Sequence, residues 1–291
     1  MLSELHRKYL IEGARRGAGY GFGFRHGSFE GGSGIKLGMR TGNSLEFMEH
    51  RDYVAGDDLR QLDWNVYART EKLTVKLFRE EINPRLDLII DGSASMELPS
   101  SEKAEAAVGL AGLLSTAAGN SGYHCKTWIC GEELKPVANG SGPAALWDGI
   151  ALDGKTSPAE ALRSFTRGFQ YHGIRIVISD LLWNDAPQHF LGKLTVGASA
   201  VILIQMLADC DLNPPVSGRV RLCDSETGAA DELYLDADAL DKYRSTLAGH
   251  QQNWERACRE HGASLLTVNA GQMVKSWDMR ELMAKEIINA I

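Results

Sequence analysis

The sequence predicts an α/β fold, a mostly parallel sheet with helices on both faces, and three observations predict it. First, short apolar runs end in small or acidic residues: Leu86, Leu88, Ile89 and Ile90 lead into Asp91, and Ile174, Ile176, Val177 and Ile178 into Ser179 and Asp180. Such runs suit strands buried on both faces, as in parallel sheets. Second, segments of helical period lie between them. Ser101 to Ala118 has apolar residues at 104, 107, 108, 111 and 114, and right-handed crossovers need such helices to reach the next parallel strand. Third, 291 residues with 44% hydrophobic content suffice for one large α/β domain and an appendage.

Taken in order, residues 1 to 16 are expected to form a short helix, with Leu2, Leu5, Tyr9 and Leu10 near one face. Nine glycines follow between Gly17 and Gly38, interleaved with Tyr20, Phe22, Phe24 and Phe29. A phosphate-binding loop would lie between a strand and a helix and often end in Gly-Lys-Ser/Thr. Neither condition is met, so an irregular loop pinned by its aromatics to the domain or to a partner is expected.

Residues 45–53 and 72–80 read as strands joined through a turn at Gly56-Asp57-Asp58. Arg51, Arg60 and Arg69 alternate there with Asp52, Asp57, Asp58 and Asp63. Bidentate Arg–carboxylate pairs specify geometry. A salt-bridged latch to the sheet edge is therefore favoured over a recognition surface, with Trp64 and Tyr67 packed underneath. The expected organisation is a Gly-rich N-terminal segment at 1–44, a small β appendage at 45–84 and the α/β domain at 85–291.

Within the domain, Tyr123 to Cys130 is a candidate strand, and a helix is expected from Ser157 to about Phe169. Pro187 lies near another helix start, and Ala200 to Met206 is a buried strand. Arg219 to Cys223 and Glu232 to Leu235 read as a hairpin at the sheet edge. A long amphipathic helix from Asp238 to His261, closed by Gly262, precedes a strand from Ser264 to Val268. A C-terminal helix is expected to carry Leu282, Met283, Ile287 and Ile288.

The most informative stretch is Asp91-Gly92-Ser93-Ala94-Ser95-Met96, at the end of the first buried strand. Ligands collect at the carboxyl ends of strands in open α/β sheets. One carboxylate and two hydroxyls at alternate positions make half a shell of hard oxygens, and Mg²⁺ takes oxygen ligands with few carboxylates. Asp and Ser are also common in turns and caps, so the pattern alone leaves both readings open. Two further stretches favour a metal. Thr156 stands on a loop just before a helix start in which Ser157, Pro158 and Glu160 occupy the N-cap, N1 and N3 positions. Asp180 places a second carboxylate at a second strand end.

Asp91-x-Ser93-x-Ser95, then Thr156, then Asp180 resembles the metal-ion-dependent adhesion site of von Willebrand factor A domains. Upstream, Arg51-Asp52-Tyr53-Val54-Ala55-Gly56-Asp57-Asp58-Leu59-Arg60-Gln61-Leu62-Asp63-Trp64 and Ala68-Arg69-Thr70 resemble the signature of a bacterial family known as domain of unknown function fifty-eight. The resemblance implies a von Willebrand A-like, Rossmann-like domain that binds Mg²⁺ or Mn²⁺ through Asp91, Ser93, Ser95, Thr156 and Asp180. It also implies a MoxR-type AAA+ ATPase as functional partner, since members are commonly encoded beside one.

Composition narrows the classes. A net charge of −7 argues against nucleic acid as main partner, since phosphate binding needs a basic footprint. The five cysteines have no C-x-x-C spacing or regular framework and are expected to be reduced thiols. Met1 to Arg16 lacks a signal-peptide apolar core, and nowhere is there a run of about 18 apolar residues. A cytoplasmic protein without transmembrane segments is expected.

An aspartyl-phosphate enzyme using Asp91 would need a second carboxylate two residues on, where Ser93 stands. The Gly-x-Ser-x-Gly elbow of serine hydrolases and the His-Glu-x-x-His zinc motif are absent. His124, His172 and His189 are scattered. A binding module suits the donors better, with a partner's Asp or Glu as the natural last ligand of the metal. Lys155, beside Thr156, departs from a simple oxygen shell: it either repels the metal or helps hold that carboxylate. Met96, Lys155 and Trp183 are candidate partner contacts, with core packing as the competing role for Trp183. The expected function is metal-dependent protein interaction with a MoxR-type ATPase, in assembling or activating another protein. The alternatives are a phosphatase-like, metal-dependent hydrolase using Asp91 and Asp180, and a metal-free scaffold.

Overall fold

The computed structural model describes residues 3–24, 47–78, 84–99, 101–166, 168–169, 171–214, 218–226 and 228–291. Helix α1 (Glu4–Gly17) starts at Ser3, whose hydroxyl accepts from the His6 amide, and leads into the short strand β1 (Tyr20–Phe22). The Gly-rich stretch beyond Phe24 lies outside the described residues, as does the expected loop there. Next come β2 (Phe47–Asp52), α2 (Trp64–Thr70) and β3 (Thr74–Phe78). The central region then runs through β4 (Arg85–Asp91), α3 (Lys103–Asn120), β5 (His124–Cys130), β6 (Leu134–Pro136), α4 (Pro158–Ser164) and β7 (Ile174–Ser179). After α5 (Pro187–Thr195) and β8 (Ala200–Leu207) comes the single-turn helix α6 (Asp209–Leu212). Strands β9 (Gly218–Cys223) and β10 (Ala230–Leu235) precede the long α7 (Ala237–His261) and β11 (Ser264–Asn269). The chain closes with α8 (Ala270–Ser276), α9 (Arg280–Ala284) and β12 (Ile288–Ala290).

Two compact units result: residues 1–24 with 84–291, and residues 25–83. In the larger, six strands form one mixed sheet in the order β11-β8-β7-β4-β5-β6, parallel except for the β5–β6 pair. Alternation along β4 divides the core. Leu86, Leu88 and Ile90 join one buried cluster with residues of α1, α3 and α8, whereas Ile89 joins another with residues of α4, α5 and α7. Helices therefore cover both faces. From β4 the chain goes first to β5 on one side and later to β7 on the other, so β4 and β7 flank the point where strand order reverses. Sheets of this kind leave a crevice there, beyond the carboxyl ends of the strands.

Helix α1 is folded into this unit, where the sequence reading set residues 1–44 apart. Its backbone meets that of α3: a Cβ on Gly13 would lie 1.9 Å from the Gly109 carbonyl oxygen, and one on Gly112 2.5 Å from that of Leu10. Only glycine permits so close a crossing. Three other expectations are corrected. The C-terminal segment is two short helices and a strand rather than one helix, because the β-branched Ile288 pairs with Phe22 of β1 and is buried. The β9–β10 hairpin forms its own two-stranded sheet instead of extending the central one. Helix α4 stops at Ser164; Phe165 and Phe169 turn onto Trp128, with ring centroids 5.5 and 5.9 Å away. Among the described residues no helix is long and apolar enough to cross a membrane.

In the smaller unit, β2 and β3 pair antiparallel. Arg51 pairs with Asp57 at 2.7 Å, and Asp57 also accepts from the Val54 amide at 2.8 Å. Asp63 caps α2 and contacts His50 at 2.8 Å and Lys76 at 3.4 Å. Those pairs hold this unit's own turn and helix. Arg60 and Arg69 make no ion pair among the described residues, and Trp64 and Tyr67 are exposed, at 62% and 41%. The expectation that both aromatics pack underneath is thus corrected: they lie at positions 1 and 4 of α2 and meet each other edge-on.

Two predictions follow from these contacts. Gly13→Ala should lower stability by about 1–3 kcal/mol through overpacking, although Ala is the better helix former. Gly249→Ala, on α7 with open space around it, should raise stability by up to about 1 kcal/mol; denaturant unfolding of both variants checks the opposite signs. The bonds to His50, Val66 and Asn65 hold the Asp63 carboxyl down at about 2. A depressed carboxyl stabilises above its unfolded value, near 4. Amide protection in α2 should therefore fall as pH drops from about 4 to 2, and Asp63→Asn should flatten that dependence in hydrogen exchange.

Candidate functional site

The parallel registers of β4 and β7 bring Asp91 and Asp180 to adjacent strand ends. Both are almost completely buried. Asp91 Oδ1 accepts from the Ser93 amide at 2.9 Å, and Oδ2 from the Ser179 hydroxyl at 2.6 Å. Ser93 and Ser95 bond through their hydroxyls at 3.0 Å. Among the described residues no cation pairs with Asp91. Burial, and after it the nearby charge of Asp180, push its carboxyl up to about 7.

Asp180 has a cation. The ammonium of Lys103, first residue of α3, lies 2.8 Å from its Oδ2 and 3.4 Å from Oδ2 of Asp211 on α6. Lys103 is itself 1% exposed. Burial works against its charge, but the Asp180 and Asp211 carboxylates outweigh it and raise the ammonium above its usual range. The backbone is forced on both sides of the pair. Glu102, just before Lys103, and Leu181, just after Asp180, have φ of 49° and 55°, values that usually cost non-glycine residues. Leu181 is held there by the Ser179 hydroxyl at its N–H, 3.0 Å away, and by His250 Nε2 2.7 Å from its carbonyl oxygen.

The third segment arrives by backbone pairing. The Ala94 amide donates to Gly154 O at 2.8 Å, and the Gly154 amide to Gly92 O at 2.9 Å. A Cβ on Gly154 would lie 2.9 Å from both Gly131 Cα and Gly92 O, so the three glycines let the loop close on the strand end. Thr156 follows, its hydroxyl donating to Gly131 O at 3.1 Å. The start of α4 is fixed as the sequence suggested: Ser157 accepts from the Glu160 amide, and Pro158 sits in the first turn. Ser157 also donates to Asp185, which pairs with Arg163.

These segments surround a cavity of about 470 Å³ lined by Ser95, Lys155, Thr156, Ser157, Glu160, Asp180, Leu182, Trp183, Asn184 and Asp185, with Cys223, Asp224, Ser225 and Glu226 from the β9–β10 turn region. Ser95, Thr156 and Asp180 reach the cavity; Asp91 and Ser93 are buried within hydrogen-bond contact of this group. Lys155 is exposed at the lining. Trp183 is mostly core, edge-on to Phe190 and Trp254, with one side on the cavity and an indole N–H lacking a partner among the described residues. Met96 is fully buried, which corrects its reading as a partner contact: the short helical turn at 94–97 points it inward.

Sequence reasoning missed Lys103, Ser179, Asp211, Asp224 and Glu226. One signal was available for Lys103, since a lysine in a helix's first turn opposes the helix dipole. Glu226, pushed up by burial and by Asp224 and Asp180, adds to an acidic cavity in which Lys155 is the one cation of the lining among the described residues.

Hard oxygens from a carboxylate pair and three hydroxyls match a Mg²⁺- or Mn²⁺-like cation. A buried carboxylate with no cation of its own is the observation that favours the fit, although no cluster of three or more His, Cys, Asp or Glu suited to a metal is found among the described residues.

Fold and site define an α/β protein with a carboxylate-based site at the strand-order reversal of a mostly parallel sheet. The chain belongs to the family described as "Protein of unknown function DUF58", whose model matches residues 49–253. Similar proteins include the uncharacterized proteins Rv1480 of Mycobacterium tuberculosis and Mb1516 of Mycobacterium bovis, each 27% identical over 81% of this chain and 78% of the relative. Uncharacterized protein MAV169 of Mycobacterium avium is 32% identical over 38% of this chain and 64% of its own. Among solved structures, conserved hypothetical protein BatB from Bacteroides thetaiotaomicron (12% identity, TM-score 0.35) and an aerotolerance-related membrane protein from Bacteroides fragilis (14%, 0.38) each align with 69% of this chain and 98% of theirs.

Gly154→Ala should displace the loop bearing Lys155 and Thr156, because both close atoms belong to backbone. The expected cost is about 1–3 kcal/mol, read by denaturant unfolding; a cost under about 0.5 kcal/mol would mean the loop does not depend on this approach.

Proposed function

We propose that this chain is a metal-dependent protein-interaction module built on a von Willebrand A-like domain. The observation that carries the reading is the meeting of Asp91 and Asp180 with the hydroxyls of Ser93, Ser95 and Thr156 beside one open cavity. These five residues would hold Mg²⁺ or Mn²⁺. Bound there, the cation supplies a Lewis-acidic position for a partner's Asp or Glu. The cavity wall explains why metal would matter: Glu160, Asp224 and Glu226 repel an acidic side chain in the ion's absence. Lys155 is placed to steer the incoming carboxylate. Family resemblance points to a MoxR-type AAA+ ATPase as the partner in assembling or activating another protein.

Hydrolysis with Asp91 as nucleophile fits less well, since it is buried and both its oxygens are hydrogen-bonded. One observation favours a second reading. The Lys103–Asp180 pair already supplies a cation, as a metal-free scaffold would require.

Thermal unfolding of the wild type, Asp91→Asn and Asp180→Ala with Mg²⁺, Mn²⁺ or chelator separates the two. A native-state ligand at about a hundredfold excess over Kd stabilises by about 2.7 kcal/mol. The wild type should melt a few degrees higher with metal and neither variant should respond. Equal melting of all three proteins with and without millimolar metal would favour the scaffold. Co-purification with the ATPase should in turn require Mg²⁺ and be lost in chelator.

A further inference from the structure

Lys103 is costly in three ways. Its ammonium is removed from water. It stands at the first position of α3, where the helix dipole disfavours positive charge. It is joined to Asp180 between two non-glycine residues of positive φ, Glu102 and Leu181. A well-packed apolar residue would avoid the first two of these costs but would leave the buried Asp180 carboxylate without a cation, so the lysine is tied to this carboxylate site.

We propose that Lys103 is the internal occupant of the site: its ammonium holds the place beside Asp180 that a divalent cation takes, and Asp211 receives the ammonium when the cation enters. The inference rests on the metal reading above and deepens it. Asp211 suits the role because its Oδ2 is already 3.4 Å from the ammonium and is fixed by the Ala208 amide at 2.9 Å. It is also more exposed than Asp180, with side-chain exposures of 12% and 2%. Water can therefore help hold the displaced charge. Divalent-ion binding is then an exchange of cations, and its affinity is set by the ease of moving Lys103 as much as by the oxygen donors. The exchange also couples the site to α6, since Asp211 is that helix's third residue and caps its start.

The test is calorimetric titration of the full chain with Mn²⁺ and with Mg²⁺, in the wild type, Lys103→Met and Asp211→Asn, alongside the Lys103 side-chain ¹³Cε signal during the same titrations. Removing a positive charge this close to the ion should tighten binding by at least about tenfold in Lys103→Met. Asp211→Asn should weaken it several-fold, and the wild-type Lys103 signal should shift in step with saturation. Wild-type-like affinity in a folded Lys103→Met would overturn the exchange while leaving the metal reading intact. Should that variant not fold, unchanged affinity in Asp211→Asn together with a stationary Lys103 signal at saturation overturns it. Binding by Lys103→Met alone would also overturn the exchange, since the lysine would then close the site and not yield to the ion. Absence of binding in every protein defeats both the metal reading and the exchange.

Discussion

Two buried carboxylates at neighbouring strand ends, one of them sharing a buried ammonium with a third acid, are the constraint on which the rest of this structure depends. Parallel pairing of β4 with β7 forces the juxtaposition, because strands in register and running the same way end together. Like charges so placed repel strongly where water is excluded. The surroundings offset that repulsion: the Ser93 amide and Ser179 hydroxyl serve Asp91, while Lys103 and the Leu182 amide serve Asp180. Ser179 does two jobs, since it also accepts the amide of the left-handed Leu181. Strain in the chain and hydrogen bonding to the carboxylate are thus linked through one hydroxyl.

Around this centre the supporting contacts are redundant. The 154–157 loop is tied to the strand end by two backbone hydrogen bonds and to Glu132 by the Lys155 amide. The start of α4 is secured by Ser157 and, through Asp185, by Arg163, while Lys193 on α5 donates to carbonyls at that helix's end. Gln205 of β8 donates to the Asp180 carbonyl and accepts from Thr267 of β11, carrying the support across three strands. Groups positioned by sheet and helix ends in this way suit recognition that demands fixed geometry.

How much of this was legible in the sequence depends on the distance over which each feature is determined. The apolar runs before Asp91 and Asp180, and the Ser157-Pro158 helix start, are local, and they placed the strand ends and the loop correctly. Lys103 was hidden because one lysine at the edge of an apolar helical run normally marks the solvated end of that helix. Its burial depends on Asp180 and Asp211, 77 and 108 residues away. Asp224 and Glu226 escaped notice because acidic residues in a hairpin turn look like ordinary solvated turn chemistry. The opposite errors have the same origin. Hydrophobicity alone sent Trp64 and Tyr67 inward and drew Met96 toward a partner, whereas α2 leaves the first two exposed and the turn after Ser95 buries the third. The C-terminal apolar run carries no strong period, and pairing with β1, some 270 residues earlier, decides its end as a strand.

Charge counting connects the site to recognition. With Asp91 ionised, as a cation beside it would favour, Asp91, Asp180 and Asp211 set three formal negative charges against the single positive charge of Lys103. The deficit of two equals the charge of one divalent ion. With only the ammonium in place, the cavity presents excess negative charge, reinforced by Glu160, Asp224 and Glu226 on its wall. An acidic side chain is then excluded, because like charges meet in a partly dehydrated space. On the metal reading proposed above, a divalent ion would remove the deficit and supply a coordination position, and the same wall would then frame a carboxylate that reaches the ion. Selectivity on this account comes from repulsion that one specific contact overcomes, and that requires a site held ready and negatively charged while it waits.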